Sequence, residues 1–317
     1  MRAWIQKRYG GPEVLELSEL PRPVLKDDEV LVRMVASTVT SGDARIRAFD
    51  VPGMVWLPAR LALGLTGPRH PVRGSDFAGE LVELGRAVTR WKLGDRVFGL
   101  TVNGSHAEFK RVKASSAMAL IPDGLSFEGA AALPFAGMSA LHFMDAGQVG
   151  AGTKLLINGA AGAVGSAAVQ IAASRGAEVT AVCSAANHDL VRSLGAARVI
   201  DYRAAPVFVP GDAYDVVFDT QGRITPNEAA QAMAAGGRFL VLVMRPTDLT
   251  QRPKGIKVIG GTAASTAAQM AAACQLVEQG SLKPVVDSVF EFAEVPAAHA
   301  RVDTGHKRGS VVVRIAP

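Results

Sequence analysis

The stretch "LLINGAAGAVGSAAVQIAASRGAEVTAVCSAAN", Leu155 to Asn187, decides the fold. Apolar residues run into a glycine-rich turn, and small residues at helical spacing follow. A second apolar run, Glu178–Cys183, closes the unit. Gly159, Gly162 and Gly165 therefore stand between a strand and a helix, the context that a dinucleotide-binding turn requires. Each has a separate task. Gly159 permits a tight exit from the strand, Gly162 lets backbone approach a diphosphate, and Gly165 lets the helix pack closely on the sheet. Ala161 keeps the surface small. The helix start, with Ala163 and Val164, presents unpaired N–H groups and partial positive charge to phosphate oxygens. Glycines at this spacing also serve merely to pack a helix on a sheet, and a methyl-donor-binding fold has a similar turn. A phosphate loop of the ATP-binding kind is disfavoured, because its Lys is missing: Ser166 follows Gly165 directly.

Outward from this turn, strands alternate with helices. The strand-like runs are Lys154–Asn158, Glu178–Cys183, Arg198–Tyr202, Asp215–Thr220, Gly237–Val243 and Lys257–Thr262. Between them, "VGSAAVQIAASR", "NHDLVRSLG", "TPNEAAQAMAAG" and "TAAQMAAACQLVEQG" have helical spacing. Such alternation means βαβ units and a parallel sheet. Before it, "SFEGAAALPFAGMSALHFMDAG" is Ala-rich and helical in period, with Ser126 and Glu128 as start signals. The first 120 or so residues have another texture: short Val- and Leu-rich strands at Glu29–Ser37, Ala78–Gly85, Asp95–Thr101 and His106–Val112, separated by turn residues. A covering loop, Asp50–Arg73, holds a short helix near "WLPARLALG". After Lys283-Pro284 the β texture returns in "VVDSVFEFAEV" and "GSVVVRI", with a short helical piece near "PAAHARVDTG". The expected organisation is a β domain over 1–121, a nucleotide-fold domain over 122–284, and a return to the first domain over 285–317.

Bulk properties narrow the function. The formal charge of +5 and the pI near 9.4 come from scattered Lys and Arg, with no block of five like charges, so no specific nucleic-acid partner is expected. Two cysteines, Cys183 and Cys274, exclude a disulfide scaffold and a cysteine-rich zinc cluster. No apolar run approaches the ~18 residues of a membrane span. The first residues, "MRAWIQKRYGGPEVLEL", enter strand-like alternation directly. A cytoplasmic, soluble protein with no membrane partner is the expectation.

The choice between NAD and NADP falls at the tip of the second strand. An acidic residue there binds the NAD ribose. Here the strand ends "AVCSAAN", and Ser184 and Asn187 leave room for a 2′-phosphate. No Arg or Lys lies in that loop, although Arg203, just after Tyr202, stands at the next strand end. Gln221, in "QGR" after the fourth strand, and Val243, at the end of the fifth, lie at carboxyl ends, where ligands of such sheets bind.

The whole chain resembles the medium-chain dehydrogenase/reductases, in their zinc-independent, quinone oxidoreductase-like (zeta-crystallin-like) branch. The resemblance rests on "VLVRMVASTVTSGDARIR", "RGSDFAGELVELG", "LGDRVFGL", "AAALPFAGMSALHFM", "LLINGAAGAVGSAAVQIA", "LVRSLGAARVIDY" and "GHKRGSVVVRI". It implies an α/β fold: a Rossmann doubly wound parallel sheet inserted into a GroES-like β-barrel catalytic domain, with the active site in a cleft between them. It also implies a homodimer, for which "IKVIGGT" is an edge strand. In this branch a Lys at the position of Asn187 and a Tyr at that of Tyr202 approach the NADP 2′-phosphate. Only the Tyr is kept here, and NADP(H) is favoured over NAD(H). Zinc-containing relatives have a Cys where Thr40 stands, a His where Ser75 stands in Gly74-Ser75-Asp76, and a four-cysteine lobe that this chain lacks. No metal is expected.

Without a Lewis acid, the reaction must need little polarisation of the acceptor. Quinones and α,β-unsaturated carbonyls meet that condition, since conjugation spreads the charge that hydride delivers. The expected function is a metal-independent, NAD(P)H-dependent reductase whose acceptor is a hydrophobic small molecule, a quinone or an enone. Thr40 is the candidate hydrogen-bond donor to the substrate oxygen, and no side chain stands out as the proton donor. Phe49, Met54, Trp56, Leu57 and Leu61 make the covering loop apolar, and Phe135 joins them as pocket lining. The alternatives are a nucleotide-binding protein with a structural or regulatory role and little turnover, and an alcohol or aldehyde dehydrogenase.

Overall fold

The computed structural model describes every residue except Pro52, Met54, Val55, Pro210, Thr262, Ala264 and Pro317. Met54 of the apolar loop and Thr262 of the sixth strand run therefore lie outside the described residues. In chain order the first elements are β1 (Arg2–Gln6), β2 (Leu15–Glu19), β3 (Glu29–Val39), α1 (Ser41–Ala48), α2 (Trp56–Leu63), β4 (Asp76–Leu84), β5 (Arg96–Leu100), β6 (Phe109–Lys113) and β7 (Met118–Leu120). Then come α3 (Phe127–Ala131), α4 (Pro134–Ala146), β8 (Lys154–Asn158), α5 (Ala163–Ser174), β9 (Glu178–Cys183), α6 (His188–Ser193), β10 (Arg198–Asp201), β11 (Tyr214–Asp219), α7 (Pro226–Ala230) and β12 (Met233–Val241). The last are α8 (Pro246–Thr250), β13 (Lys257–Gly260), α9 (Ala267–Glu278), β14 (Val286–Glu291), α10 (Val295–Asp303) and β15 (Ser310–Arg314).

Two compact units result. One contains Met1–Phe135, Ser265–Gln275 and Pro284–Pro317; the other contains Ala136–Ala264 and Leu276–Lys283. The first is built on a seven-stranded sheet in the order β14-β15-β3-β4-β5-β7, with β6 also paired to β3 and β1–β2 a separate antiparallel pair. Every pairing in the seven-stranded sheet is antiparallel except β14 with β15. β3 is the spine, since its apolar residues are buried on both faces and it pairs with β4, β6 and β15. Val30, Val32, Met34, Phe77, Leu81, Val97, Val311 and Val313 form the core, closed by Phe292 and Val295.

The second unit is a six-stranded parallel sheet, order β10-β9-β8-β11-β12-β13. Leu155, Leu156 and Ile157 of β8 are wholly buried, as strands covered on both faces require. The chain runs from β8 to one side, then returns to the other side at β11. Order reverses between β8 and β11, so a crevice opens at their carboxyl ends. The doubly wound α/β architecture anticipated above is the one the chain adopts.

Two helical readings are corrected. The segment Thr225–Gly236 is not one helix: α7 stops at Ala230, and Met233 opens β12 by pairing with Tyr214. Thr225 and Glu228 form a capping box that starts α7. Gly236, at φ +82°, departs from helical backbone, and parallel pairing with β11 overrides the alanine propensity. The Ala-rich run after Ser126 is likewise two helices, α3 and α4. Pro134, which has no N–H to continue a helix, sits at the first position of α4.

Candidate functional site

At the carboxyl end of β8 the chain turns through Gly159, whose φ of +77° favours glycine. The N–H groups of Gly159 and Ala160 both donate to the Val182 carbonyl at 3.1 Å, pinning the turn to β9. Gly165 packs against that turn: a Cβ there would lie 2.2 Å from the Gly159 oxygen. Gly162 is different. A Cβ at Gly162 would meet only the Gly159 oxygen at 3.4 Å and Gln221 Nε2 at 3.8 Å, both ordinary contacts. The protein's own packing therefore leaves space above Gly162. Gly162 caps α5 with extended backbone and no side-chain hydrogen bond, and the first turn carries no acid. A helix start with free donors, open space and no competing carboxylate fits a diphosphate. Ala161 and Val164 are buried beneath it, and Ala163 is half-buried.

A buried acid organises the neighbouring strand end. Asp219, fully buried at the end of β11, accepts from Asn158 Nδ2 (2.9 Å) and the Gln221 N–H (3.0 Å) on Oδ1. Its Oδ2 accepts from the N–H groups of Arg223 (2.7 Å) and Ile224 (2.8 Å). The loop that presents Gln221 is thus folded around one carboxylate. Gly222 in that loop lies against Val243, whose oxygen would be 3.1 Å from an added Cβ. The structure so brings Gly159, Gly162, Gln221 and Val243 to one end of the sheet. Sequence reading missed Asn158 and Asp219; the signal was an acid closing an otherwise apolar strand.

At the tip of β9, Asn187 Nδ2 donates to Ser184 Oγ at 3.1 Å, and both residues are half-buried. Asp201 of β10 is in register with Cys183, so Tyr202 and Arg203 follow beside this tip. Tyr202 is exposed, and the Arg203 guanidinium lies 5.6 Å from its ring centroid.

In the first unit, Thr40 is the N-cap of α1. Its hydroxyl donates to Asp43 Oδ2 (2.7 Å) and accepts from the Asp43 N–H (3.0 Å), while its own N–H donates to Asp43 Oδ2 (2.9 Å). Ser75 Oγ donates to the same oxygen at 3.3 Å. Next to Ser75, Asp76 accepts from Thr38 Oγ1 (2.7 Å) and from the Phe135 N–H (3.1 Å). Lys110 donates to Ser105 Oγ at 3.0 Å and to the Asn103 carbonyl, and His106 Nδ1 is 3.2 Å from Ser37 Oγ. Burial pushes the Asp43 carboxyl up, raises Asp76 to about 8, and lowers Lys110 to about 7 and His106 to about 3. This polar cluster was not anticipated, although Thr40 followed by Asp43 is the spacing of a capping box.

Of the aromatic residues, Phe49 is buried at φ 56°, its ring against Tyr9 (4.8 Å) and Trp56 (5.9 Å). The Arg60 guanidinium covers all three rings, at 4.1 Å from Phe49, 4.5 Å from Tyr9 and 5.1 Å from Trp56. Trp56, Leu57 and Leu61 remain exposed. Phe135, in the first turn of α4, donates its N–H to Asp76.

The second unit, with its reversal of strand order and glycine-lined helix start, is a Rossmann-type dinucleotide fold, carried in one chain with an antiparallel β unit. Residues 26–139 match the alcohol dehydrogenase GroES-like domain, and residues 194–313 match the family described as zinc-binding dehydrogenase. The chain is 32% identical to the chloroplastic NADPH-dependent alkenal/one oxidoreductase of Arabidopsis thaliana, covering 99% of this chain and 79% of the relative. It is 31% identical to 2-methylene-furan-3-one reductase of Solanum lycopersicum, covering 100% and 80%. The solved quinone oxidoreductase of Coxiella burnetii superposes with a TM-score of 0.87 at 25% identity, covering 100% of this chain and 99% of the other. The protein belongs to the medium-chain dehydrogenase/reductases, in their quinone oxidoreductase-like branch.

Among the described residues, the zinc of the second family description has no matching donor set. A catalytic zinc takes three converging protein ligands from Cys, His or carboxylate. Thr40 and Ser75 bring hydroxyls already bonded to Asp43, and both Asp76 oxygens are engaged. Cys183 and Cys274 are buried, and among the described residues no three His, Cys, Asp or Glu group to hold a metal. Among the described residues, no helix is long and apolar enough to cross a membrane.

Proposed function

We propose that the protein is a metal-independent, NADPH-dependent reductase whose acceptor is a hydrophobic small molecule, a quinone or α,β-unsaturated carbonyl. The observation that carries this reading is the space above Gly162, which packing leaves open at an uncapped helix start. The names of the relatives, an alkenal/one oxidoreductase and an enone reductase, point to the same chemistry.

In this reading the second unit, Ala136–Ala264 with Leu276–Lys283, is the cofactor domain, and the first is the catalytic domain. When bound, the reduced nicotinamide supplies hydride. Gly159, Ala161, Gly162, Ala163, Val164 and Gly165 hold the diphosphate, while Gln221 and Val243 border the nicotinamide half. Ser184, Asn187 and Tyr202 receive the 2′-phosphate, and Arg203, stacked on Tyr202, supplies the cation that the β9 tip lacks. That cation favours NADP(H) over NAD(H). Thr40 donates to the acceptor oxygen as charge develops there. Trp56, backed by Phe49, and Phe135 give the pocket apolar walls that exclude water. A homodimer through β13, the terminal strand of the parallel sheet, completes the reading.

The test follows NADPH and NADH oxidation spectrophotometrically against a panel of quinones, enones and alkenals, with alcohols and NADP⁺ as the reverse arm. Turnover of conjugated acceptors with NADPH is expected. NADPH binding with no turnover of any acceptor would instead support a structural or regulatory nucleotide-binding role, and oxidation of alcohols alone would make the protein an alcohol dehydrogenase.

A further inference from the structure

A hydroxyl has one proton to donate and two lone pairs with which to accept. In the arrangement found, the Thr40 proton is already committed to Asp43 Oδ2 at 2.7 Å, while the Asp43 N–H occupies one lone pair. So bonded, Thr40 has nothing to give to a substrate. A proton on Asp43 reverses this bond and frees the Thr40 proton for a substrate without leaving Thr40 Oγ a vacant partner.

We propose that Asp43, as a carboxylic acid, is the proton source behind Thr40, passing its proton to Thr40 Oγ as the Thr40 hydroxyl proton goes to the acceptor oxygen. This rests on the reading that Thr40 faces the acceptor. In the reversed state Thr40 Oγ accepts from the Asp43 N–H and the Asp43 O–H and donates outward, which uses its full capacity. Asp43 Oδ2 keeps the Thr40 N–H (2.9 Å) and Ser75 Oγ (3.3 Å) as fixed donors, so only the shared proton moves.

The surroundings suit an acid that is regenerated. Asp43 is 5% exposed, and desolvation raises its affinity for a proton. Its own helix offers the Thr40 hydroxyl and N–H, and the segment before β4 brings Arg73 and Ser75, all of which favour the carboxylate. Asp76, at the start of β4, is a neighbouring carboxyl that keeps its own proton up to about pH 8, and Lys110 of β6 is an attractive neighbour when charged. Arg73 and Lys110 thus stabilise the anion left after transfer, while burial favours return of the proton.

The step balances. Hydride from the dihydronicotinamide brings two electrons to the β-carbon of an enone, and the π pair moves to the carbonyl oxygen. That oxygen bonds the Thr40 proton as the Thr40 O–H bond breaks. Thr40 Oγ in turn bonds the Asp43 proton as the Asp43 O–H bond breaks. Asp43 becomes a carboxylate that solvent reprotonates, and the enol tautomerises to the saturated ketone. With a quinone, hydride and the same relayed proton give the hydroquinone.

The experiment compares the pH dependence of kcat from pH 5 to 10 for the full-length wild type, Asp43→Asn and Thr40→Val. NADPH affinity and thermal unfolding are measured on each. The amide of Asp43→Asn keeps the hydrogen-bond frame but supplies no proton. The wild type is expected to lose activity as pH rises. Asp43→Asn is expected to lose about 100-fold or more in kcat and its pH dependence, with NADPH affinity unchanged. If Thr40→Val is impaired while Asp43→Asn keeps the wild-type kcat and profile, the relay is overturned and the Thr40 reading stands. A wild-type kcat in Thr40→Val overturns both. A wild type that reduces no acceptor overturns the proposed function, and the relay with it. Should Asp43→Asn fail to fold, Thr40→Ser and Thr40→Ala decide. A high-pH fall kept by Ser and lost in Ala supports the relay, and a fall kept by Ala overturns it.

Discussion

Asn158 Nδ2 donates to Asp219 Oδ1 at 2.9 Å, across β8 and β11, the two neighbouring strands between which sheet order reverses. With three backbone N–H groups also bonded to Asp219, this one buried carboxylate sets the shape of the loop beside the glycine turn. Asp219→Ala leaves four donors without their acceptor. Each buried donor so stranded costs about 1–3 kcal/mol, so a loss of about 3 kcal/mol or more is expected after relaxation. Chemical denaturation and NADPH titration check it. Unchanged stability would show that the loop does not depend on Asp219.

Gly162→Asp separates fold from cofactor binding. Asp is a favoured N-cap residue, and the space for its Cβ exists, so α5 is expected to form as before. Its carboxylate would nevertheless occupy the diphosphate position. NADPH affinity by calorimetry is expected to fall by about 100-fold or more, with the circular dichroism spectrum preserved. Wild-type affinity in this variant would sink the assignment of the turn.

Arg203→Ala tests the 2′-phosphate reading. Loss of one charge-assisted contact, about 1.5 kcal/mol, corresponds to roughly tenfold weaker NADPH binding. NADH binding, which involves no such phosphate, is expected to stay as it was. Equal weakening of both cofactors would make Arg203 a structural residue.

Stability is expected to depend on pH through Asp76 and Lys110. Asp76, raised from 3.8 to about 8, holds a proton in the folded chain that the unfolded chain has released. Between those values the folded state binds more protons, so stability falls as pH rises. Lys110, lowered from 10.5 to about 7, acts in the opposite sense and restores stability with rising pH across its own window. Scanning calorimetry from pH 5 to 9 is expected to find the lowest Tm near pH 7 to 8. Asp76→Asn removes the acid-side slope and is expected to gain at least about 1 kcal/mol over wild type at pH 7. A variant less stable than wild type at pH 7 would contradict this account.

Arg60→Leu keeps apolar bulk but removes the cation that lies over Tyr9, Phe49 and Trp56. Faster amide exchange confined to residues around α2 is expected, with the global Tm changed by only a few degrees. Exchange unchanged there would mean that ring packing alone secures the segment.

Much of the fold was legible because its signals are local. The strand-to-helix turn at Gly159–Gly165 announces itself through residues that lack side chains, and the alternation of apolar runs with helical periods announces the parallel sheet. The same local logic failed at Met233–Gly236. Alanine favours a helix there, but the residues were claimed by β11, a partner that a local window does not contain. The ring contacts of Phe49 with Tyr9 and Trp56, and the bond from the Phe135 N–H to Asp76, likewise lie between segments distant in the chain.

The sequence by itself determined the doubly wound sheet, the anion-receptive helix start and the absence of thiol and imidazole from the positions of Thr40 and Ser75. These follow from side-chain size, period and donor type, which each residue carries with it. Tertiary structure alone decided that Asn158 of β8 joins the donors around Asp219, and that Asp43, Asp76 and Lys110 share one buried cluster. Hydrogen-bond direction and desolvation depend on what long-range folding brings alongside, and in water these same carboxylates would be ordinary surface acids.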